Sequence, residues 1–355
     1  MTSINADIVP RTTAASPRQL CQEMVKLAEE QLYGFLRAER DRWSQEMAWG
    51  SELVDAVADL VAAGGKRIRP AFCISGYLAA GGDPAGERVL VAAGALELLH
   101  ACALIHDDIM DGAAQRRGAP TVHHRHAAVH QRLGWKGDPT RYGENVAILA
   151  GDLALVYADQ FIAPASAVAG PLWAELRSEL IVGQYADVVA AAEFSVDLDV
   201  VRSIAIAKSG RYTIHRPLEV GAAIAGRTDL AAAFAAYGTA VGEAFQLRDD
   251  LMDAFGDASV TGKPHGLDFE QHKMTLLLAL ATQSDPGIRD LLTTDPEDAS
   301  RLRRRLEETG VRARVEQEID RLVERGCQAI ADAPLTDSWR AELTEMAHRV
   351  AYRDR

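Results

Sequence analysis

The chain has little cysteine, only Cys21, Cys73, Cys102 and Cys327 in 355 residues, and none of the four is paired by spacing. Paired-thiol or cysteine–histidine chemistry therefore has no footing. No run of about 18 uncharged apolar residues occurs, so a membrane span is not expected. Alternating β-branched runs do not recur, which speaks against a sheet. Basic residues are outnumbered, 38 Lys and Arg against 51 Asp and Glu, and the net charge of -13 argues against nucleic acid as a partner. Much of that charge is spread over surface helices such as Glu307-Glu308 and Glu316 to Asp320. The stretch from Met1 to Pro17 is rich in Thr, Ser, Ala and Pro and lacks a long apolar core, so it reads as a disordered arm and not a signal peptide. Residues 1–19 are expected to form that arm, residues 20–355 one domain, and the cytoplasm is the expected location.

What the chain does contain is helix. Alanine-rich segments from Val54 to Ala63, Val89 to His106, Glu144 to Ala163, Leu176 to Ala192 and Leu230 to Asp253 fill the map. With 48% hydrophobic and 25% charged residues there is ample material for a core. The expectation is an all-α fold, a large bundle around a central cavity, with helices broken at Gly-Gly and Pro loops such as Gly81-Gly82-Asp83-Pro84.

Two clusters carry the chemistry: Asp107-Asp108-Ile109-Met110-Asp111 and Asp249-Asp250-Leu251-Met252-Asp253, each DDxxD. On a helix, positions i and i+4 lie roughly 40° apart, so the outer carboxylates share a face with the middle one alongside. Three like charges in one turn repel unless water or a cation neutralises them, and hard oxygen ligands suit Mg²⁺. A short DDxxD alone is usually a solvated helix face. Here each ends a largely apolar run, Leu98 to Ile105 and Gly242 to Leu247, where unpaired carboxylates are expensive. Candidate partners for a polyanion are Gly64-Gly65-Lys66-Arg67-Ile68-Arg69-Pro70 and Arg116-Arg117-Gly118, since guanidinium forks and lysine hold phosphate oxygens.

The ordered set GGKRIRP, ELLHACALIHDDIMD, RRGAPTVH, KSGRYT, AFQLRDDLMDAFGD, TGKP and HKMT resembles the trans-isoprenyl diphosphate synthases, the polyprenyl synthetase family, over nearly all of the chain from about Leu20. Residues 134–152, with KSGRYT, look most like the bacterial geranylgeranyl diphosphate synthase branch. The resemblance implies that Lys66, Arg69, His100 and Arg117 hold the diphosphate of isopentenyl diphosphate, without metal. It implies that Asp107, Asp108, Asp111, Asp249, Asp250 and Asp253 bind about three Mg²⁺ on the allylic diphosphate. Arg116, Lys208, Gln246 and Lys263 would complete that grip, and Ser209 stands where the family commonly has threonine. It also implies a homodimer, for which the apolar segments Val220 to Ala225 and Ala231 to Ala236 are candidate faces.

The implied chemistry is ionisation of the allylic carbon–oxygen bond in a dry pocket, attack by the alkene of isopentenyl diphosphate, and loss of a proton, with no protein nucleophile. The growing chain is expected to run along the first aspartate helix, where the residues five and four before Asp107 are Cys102 and Ala103 and the next obstruction is Leu99, about 6 Å deeper. The resemblance implies that these two positions floor the pocket and that farnesyl-length members often carry a bulky ring at one of them; neither Cys102 nor Ala103 is aromatic, so C20 is expected, with longer chains the alternative. A class I terpene cyclase would share fold and carbocation chemistry but needs no second diphosphate site, and a catalytically silent subunit would be expected to have damaged aspartate motifs. The histidines His123, His124, His126 and His130 include an i, i+4 pair but lack the glutamate of a zincin motif, so His124, His126 and His130 are expected to be solvated or packed, with His123 matching a family loop position.

Overall fold

The computed structural model describes residues 15–255, 275–294 and 299–353. Among them the fold is all-α apart from one small hairpin. The first helix, α1 (Pro17–Glu46), opens with a capping box between Ser16 and Gln19 and a proline in its first turn. Residues 17–19 thus belong to the helical unit and not to the expected arm. Its buried residues Cys21, Met24, Ala28, Leu32 and Leu36 recur every three or four positions, so one stripe faces the core.

The helices α2 (Gly50–Ala62), α3 (Ile68–Ala79) and α4 (Glu87–Met110) follow. Then comes a two-stranded hairpin, β1 (Gln115–Arg116) and β2 (Ala119–Pro120), paired antiparallel with Arg116 opposite Ala119. Its two-residue turn places Arg117 at φ 52 and Gly118 at φ 77, the left-handed pair that matches strand twist. Beyond it lie α5 (Val122–Leu133), α6 (Pro139–Ile162), α7 (Ser166–Glu193) and α8 (Leu198–Ala205). A ten-residue π-helix (Ile206–His215) runs directly into α9 (Arg216–Ile224), and α10 (Ala231–Phe255) follows. The last described helices are α11 (Leu276–Ser284), α12 (Pro286–Thr294), α13 (Ala299–Glu308), α14 (Val311–Ala329) and α15 (Asp337–Ala351).

Helix α4 is the axis of the core. Residues 92–99 are all buried, and it packs on α1, α2, α3, α6 and α9. Helices around α4 and across α6 and α7 are long and apolar enough to cross a membrane by length and composition, but α4 is 72% buried within the protein. That is the signature of a core helix. One connected set of buried apolar side chains runs from Cys21 to Ala351. The π-helix crosses α10 at a pair of glycines: a Cβ on Gly242 would lie 2.4 Å from the Cα of Gly210. Only glycine allows that approach, and it sets the π-helix, with Lys208, against the helix that ends in the second aspartate cluster.

Candidate active site

The first aspartate cluster lies at the C-terminus of α4 and the second in the last described turns of α10. Asp107 and Asp108 occupy the last turn of α4 and Asp111 caps it; Asp249, Asp250 and Asp253 occupy the last described turns of α10. The helix dipole is negative at the end of α4, so the carboxylates of Asp107, Asp108 and Asp111 add to an unfavourable field and demand cations. Asp108 and Asp250 are also buried.

Protein cations answer the demand. Arg116, on the hairpin, donates from Nε to Asp108 Oδ1 at 2.8 Å and reaches Asp107 Oδ2 at 3.7 Å. Lys208, on the π-helix, lies 3.6 Å from Asp107 Oδ1 and donates to Asp187 Oδ2 at 2.6 Å. The structure therefore joins α4, α7, the hairpin and the π-helix at the first cluster. Gln246 donates to Asp250 Oδ1 at 2.8 Å, and Arg353 pairs with Asp249 while lying over the Phe245 ring, 3.9 Å from its centre. Among the described residues no three acidic, histidine or cysteine side chains converge tightly enough to hold an ion alone. The donors are nonetheless hard oxygens, and Mg²⁺ takes few protein carboxylates and fills its sphere with water and phosphate oxygens, so the set fits that ion when a diphosphate is shared.

A second group of side chains has the opposite character. Arg69 lies with its guanidinium carbon 4.2 Å from the centre of the Tyr212 ring and donates from Nη2 to Thr213 Oγ1 at 3.0 Å. Half-buried His100 packs 6.3 Å from the same ring. Its pKa is held well below the ordinary value of 6.5, first by burial and then by Arg69, Arg117, Arg116 and Arg67. Arg117 is likewise pushed below the usual guanidinium value by burial and by Arg116 and Arg67. Its guanidinium lies over Gly65, where a Cβ would sit 3.2 Å from Nη2. Two buried nitrogens here, Arg69 Nε and His100 Nδ1, have no hydrogen-bond partner. Such orphaned donors inside a crowd of cations call for an anion.

Of the residues singled out from sequence, the structure groups Asp107, Asp108, Arg116 and Lys208, and separately Arg69, His100 and Arg117. Ser209 follows Lys208 on the π-helix, Lys66 precedes α3, and Lys263 lies outside the described residues. Cys102 and Leu99 are buried on α4 and Ala103 is half-buried. Burial pushes the Cys102 thiol up to about 12, so it stays protonated. His123, His126 and His130 form the buried face of α5, which packs on α6. Sequence reasoning missed Gln184, Asp187, Tyr212, Thr213 and Arg353. Gln184 and Asp187, a polar pair three apart in an apolar stretch of α7, were a readable signal; Gln184 Nε2 donates to Asp107 Oδ1 at 3.4 Å. Nothing local marks Arg353.

Comparison with known proteins gives the family. The polyprenyl synthetase family model matches residues 51–309. A (2E,6E)-farnesyl diphosphate synthase of Mycobacterium tuberculosis is 32% identical, with 81% of this chain and 80% of that protein aligned. A geranylgeranyl diphosphate synthase of Cyanophora paradoxa is 34% identical over 63% of this chain and 72% of its own length. Among solved structures, a geranylgeranyl pyrophosphate synthase of Corynebacterium glutamicum, complexed with isoprenyl diphosphate and magnesium, superposes with a TM-score of 0.88 at 38% identity, covering 94% of this chain and 99% of that one. The chain belongs to the polyprenyl synthetase family and is a prenyltransferase.

Proposed function

We propose that the protein condenses isopentenyl diphosphate head-to-tail with dimethylallyl, geranyl or farnesyl diphosphate, releasing diphosphate and a proton, with C20 geranylgeranyl diphosphate as the product. The observation that carries this reading is the cationic cluster near the first aspartates, with Arg69 Nε and His100 Nδ1 buried and unanswered. A single-diphosphate enzyme such as a terpene cyclase has no use for it.

Lys66, Arg69, His100 and Arg117 bind the diphosphate of isopentenyl diphosphate. His100, neutral because of its burial and its cationic neighbours, donates one hydrogen bond without adding charge. Asp107, Asp108, Asp111, Asp249, Asp250 and Asp253 are the residues that would hold magnesium, and magnesium when bound neutralises the leaving diphosphate. Arg116, Lys208, Gln246 and Lys263 orient that diphosphate and stabilise it as the allylic bond ionises. Support for placing Arg116 and Lys208 there is their pairing with Asp107 and Asp108. The alkene carbon of isopentenyl diphosphate attacks the cation, and the departing diphosphate takes the proton.

A homodimer is part of this proposal, with an exposed apolar face on α6 and α7 as a further candidate beside the segments considered above. Val220 to Ala223 are buried in the core, whereas Ile148, Leu149 and Val156 on α6 and Ile181, Val182 and Tyr185 on α7 are exposed. Apolar exposure on that scale favours a second copy. A monomer by light scattering at micromolar concentration would remove this part. The function itself is tested by chromatography of the products formed from isopentenyl diphosphate with each allylic diphosphate in turn. A C20 terminal product is expected; C10 or C15 accumulating despite excess isopentenyl diphosphate would overturn the product length, and no elongation at all would overturn the reaction.

A further inference from the structure

Arg67 stands between two residues assigned to diphosphate binding, yet its side chain points away from that task. It is 11% exposed and nearly all of its donors are committed. Nε donates to Glu29 Oε1 at 2.7 Å, Nη1 to Glu97 Oε2 at 2.6 Å, and Nη2 to the Tyr33 hydroxyl at 3.1 Å and to the Val61 carbonyl at 2.8 Å. Those partners belong to α1, α4 and α2, so one guanidinium ties three helices to the start of α3. Its backbone is equally unusual. Arg67 has φ 47, a left-handed conformation that a residue with a Cβ adopts only when its surroundings impose it.

We propose that Arg67 is a positioning residue: its clamp on Glu29, Tyr33, Val61 and Glu97 imposes the left-handed turn that presents Lys66 and Arg69 to the diphosphate of isopentenyl diphosphate. This rests on the reading of that pocket given above. The clamp acts in two ways. It fixes the turn between Gly64 and Arg69 on α4 only three residues before His100, so the loop and His100 keep one register. It also encloses Arg67 between two carboxylates, leaving Arg69 and Arg117 to meet the ligand. Glu97, buried and 2.6 Å from Arg67, is the other half of the device. A direct ligand would instead keep its donors aimed at the anion.

The test is steady-state kinetics on the full chain, varying isopentenyl diphosphate at saturating farnesyl diphosphate and then the reverse. Arg67→Lys keeps the charge and loses the planar fork, so KM for isopentenyl diphosphate should rise about tenfold, with kcat and the allylic KM within about twofold. Glu29→Gln, at a carboxylate 28% exposed, is the gentle variant that keeps the fold and should raise the same KM about threefold. Adding Arg69→Ala to Arg67→Lys should give less than the product of the two single effects, because Arg67 works through Arg69. An unchanged KM in Arg67→Lys, full multiplicativity with Arg69→Ala, or a fall in kcat with both KM values shifted alike would each overturn the proposal. If Lys66→Ala and Arg69→Ala themselves leave KM for isopentenyl diphosphate unchanged, the reading of the pocket fails, and that outcome is distinct from the others.

Discussion

The two halves of the site are opposite in charge and differ in what completes them. Around Asp107 and Asp249 the protein itself supplies cations: Arg116 on Asp108, Lys208 on Asp107 and Asp187, Arg353 on Asp249. Around His100 the balance is left open, with arginines facing one another and buried nitrogens unpartnered. The first half is built to exchange cations, since protein cations and metal ions can serve the same carboxylates. Under the proposed function, the second receives an anion directly, without metal.

The largest effect that can break this contrast is on the aspartates. Asp107→Ala or Asp249→Ala should lower kcat by about a thousandfold with the helical circular dichroism unchanged, because stabilisation of the leaving group is lost in the chemical step. Activity should vanish with a chelator and return with Mg²⁺; equal turnover with and without chelator would sink the assignment. Next in size is the partition of substrates. Arg69→Ala should raise KM for isopentenyl diphosphate about tenfold to a hundredfold, the worth of a charged hydrogen bond, whereas Lys208→Ala should act on the allylic substrate and on kcat. If both variants move both Michaelis constants alike, the two halves are not separate sites.

Much of this was legible in the sequence because it is local. DDxxD at the end of an apolar helix, the GGKRIRP turn and the helical periodicity of α4 and α10 are all contained within a few turns of chain. What was not legible depends on tertiary proximity. That Arg67 is a clamp and Arg69 faces Tyr212 and Thr213 cannot be told from three cations in four residues, since the partners lie up to 144 positions away. Arg353 reaches Asp249 across 104 positions. The extent of burial was not legible for the same reason: composition shows that Val220 to Ala225 and Ala231 to Ala236 are apolar, but only packing shows that Val220 to Ala223 are covered while Ala232 and Ala236 are exposed.

A smaller effect on rate, though a visible one on product, concerns the route of the growing chain. Cys102 turns toward α6, its sulfur 3.9 Å from His106 Nδ1, and His106 in turn meets the Ile148 carbonyl at 3.2 Å. Ala103, half-buried and one turn before Asp107, is therefore the better place to raise the floor. Ala103→Phe should shift the terminal product by about one isoprene unit or more, to C15 or shorter, with the rate of the first condensation within about threefold, because the change fills space beyond the reacting carbons. Product chromatography decides it, and an unchanged C20 terminus would place the floor on another helix.

The smallest expected effect is on stability, and its sign follows from His100. In the folded chain its pKa lies well below 6.5, because burial and the surrounding arginines oppose a second proton. In the unfolded chain it titrates near that ordinary value. Well above pH 6.5 both states are neutral and the group has no influence. As pH falls below 6.5 the unfolded chain takes up a proton that the folded chain refuses, so stability drops, by at most about 1.4 kcal/mol per pH unit for one group. His123 and His126, also depressed by burial, add to the same trend. Urea unfolding between pH 7.5 and 5 should therefore show stability decreasing toward acid. His100→Asn should flatten the slope by the share of one histidine, leaving the rest. Saturating inorganic diphosphate should flatten it as well, since an anion beside His100 offsets the arginines and lets the folded state accept the proton. A slope that is the same in the variant, and indifferent to diphosphate, would mean that His100 is not the neutral, cation-crowded group on which the metal-free half of the comparison depends.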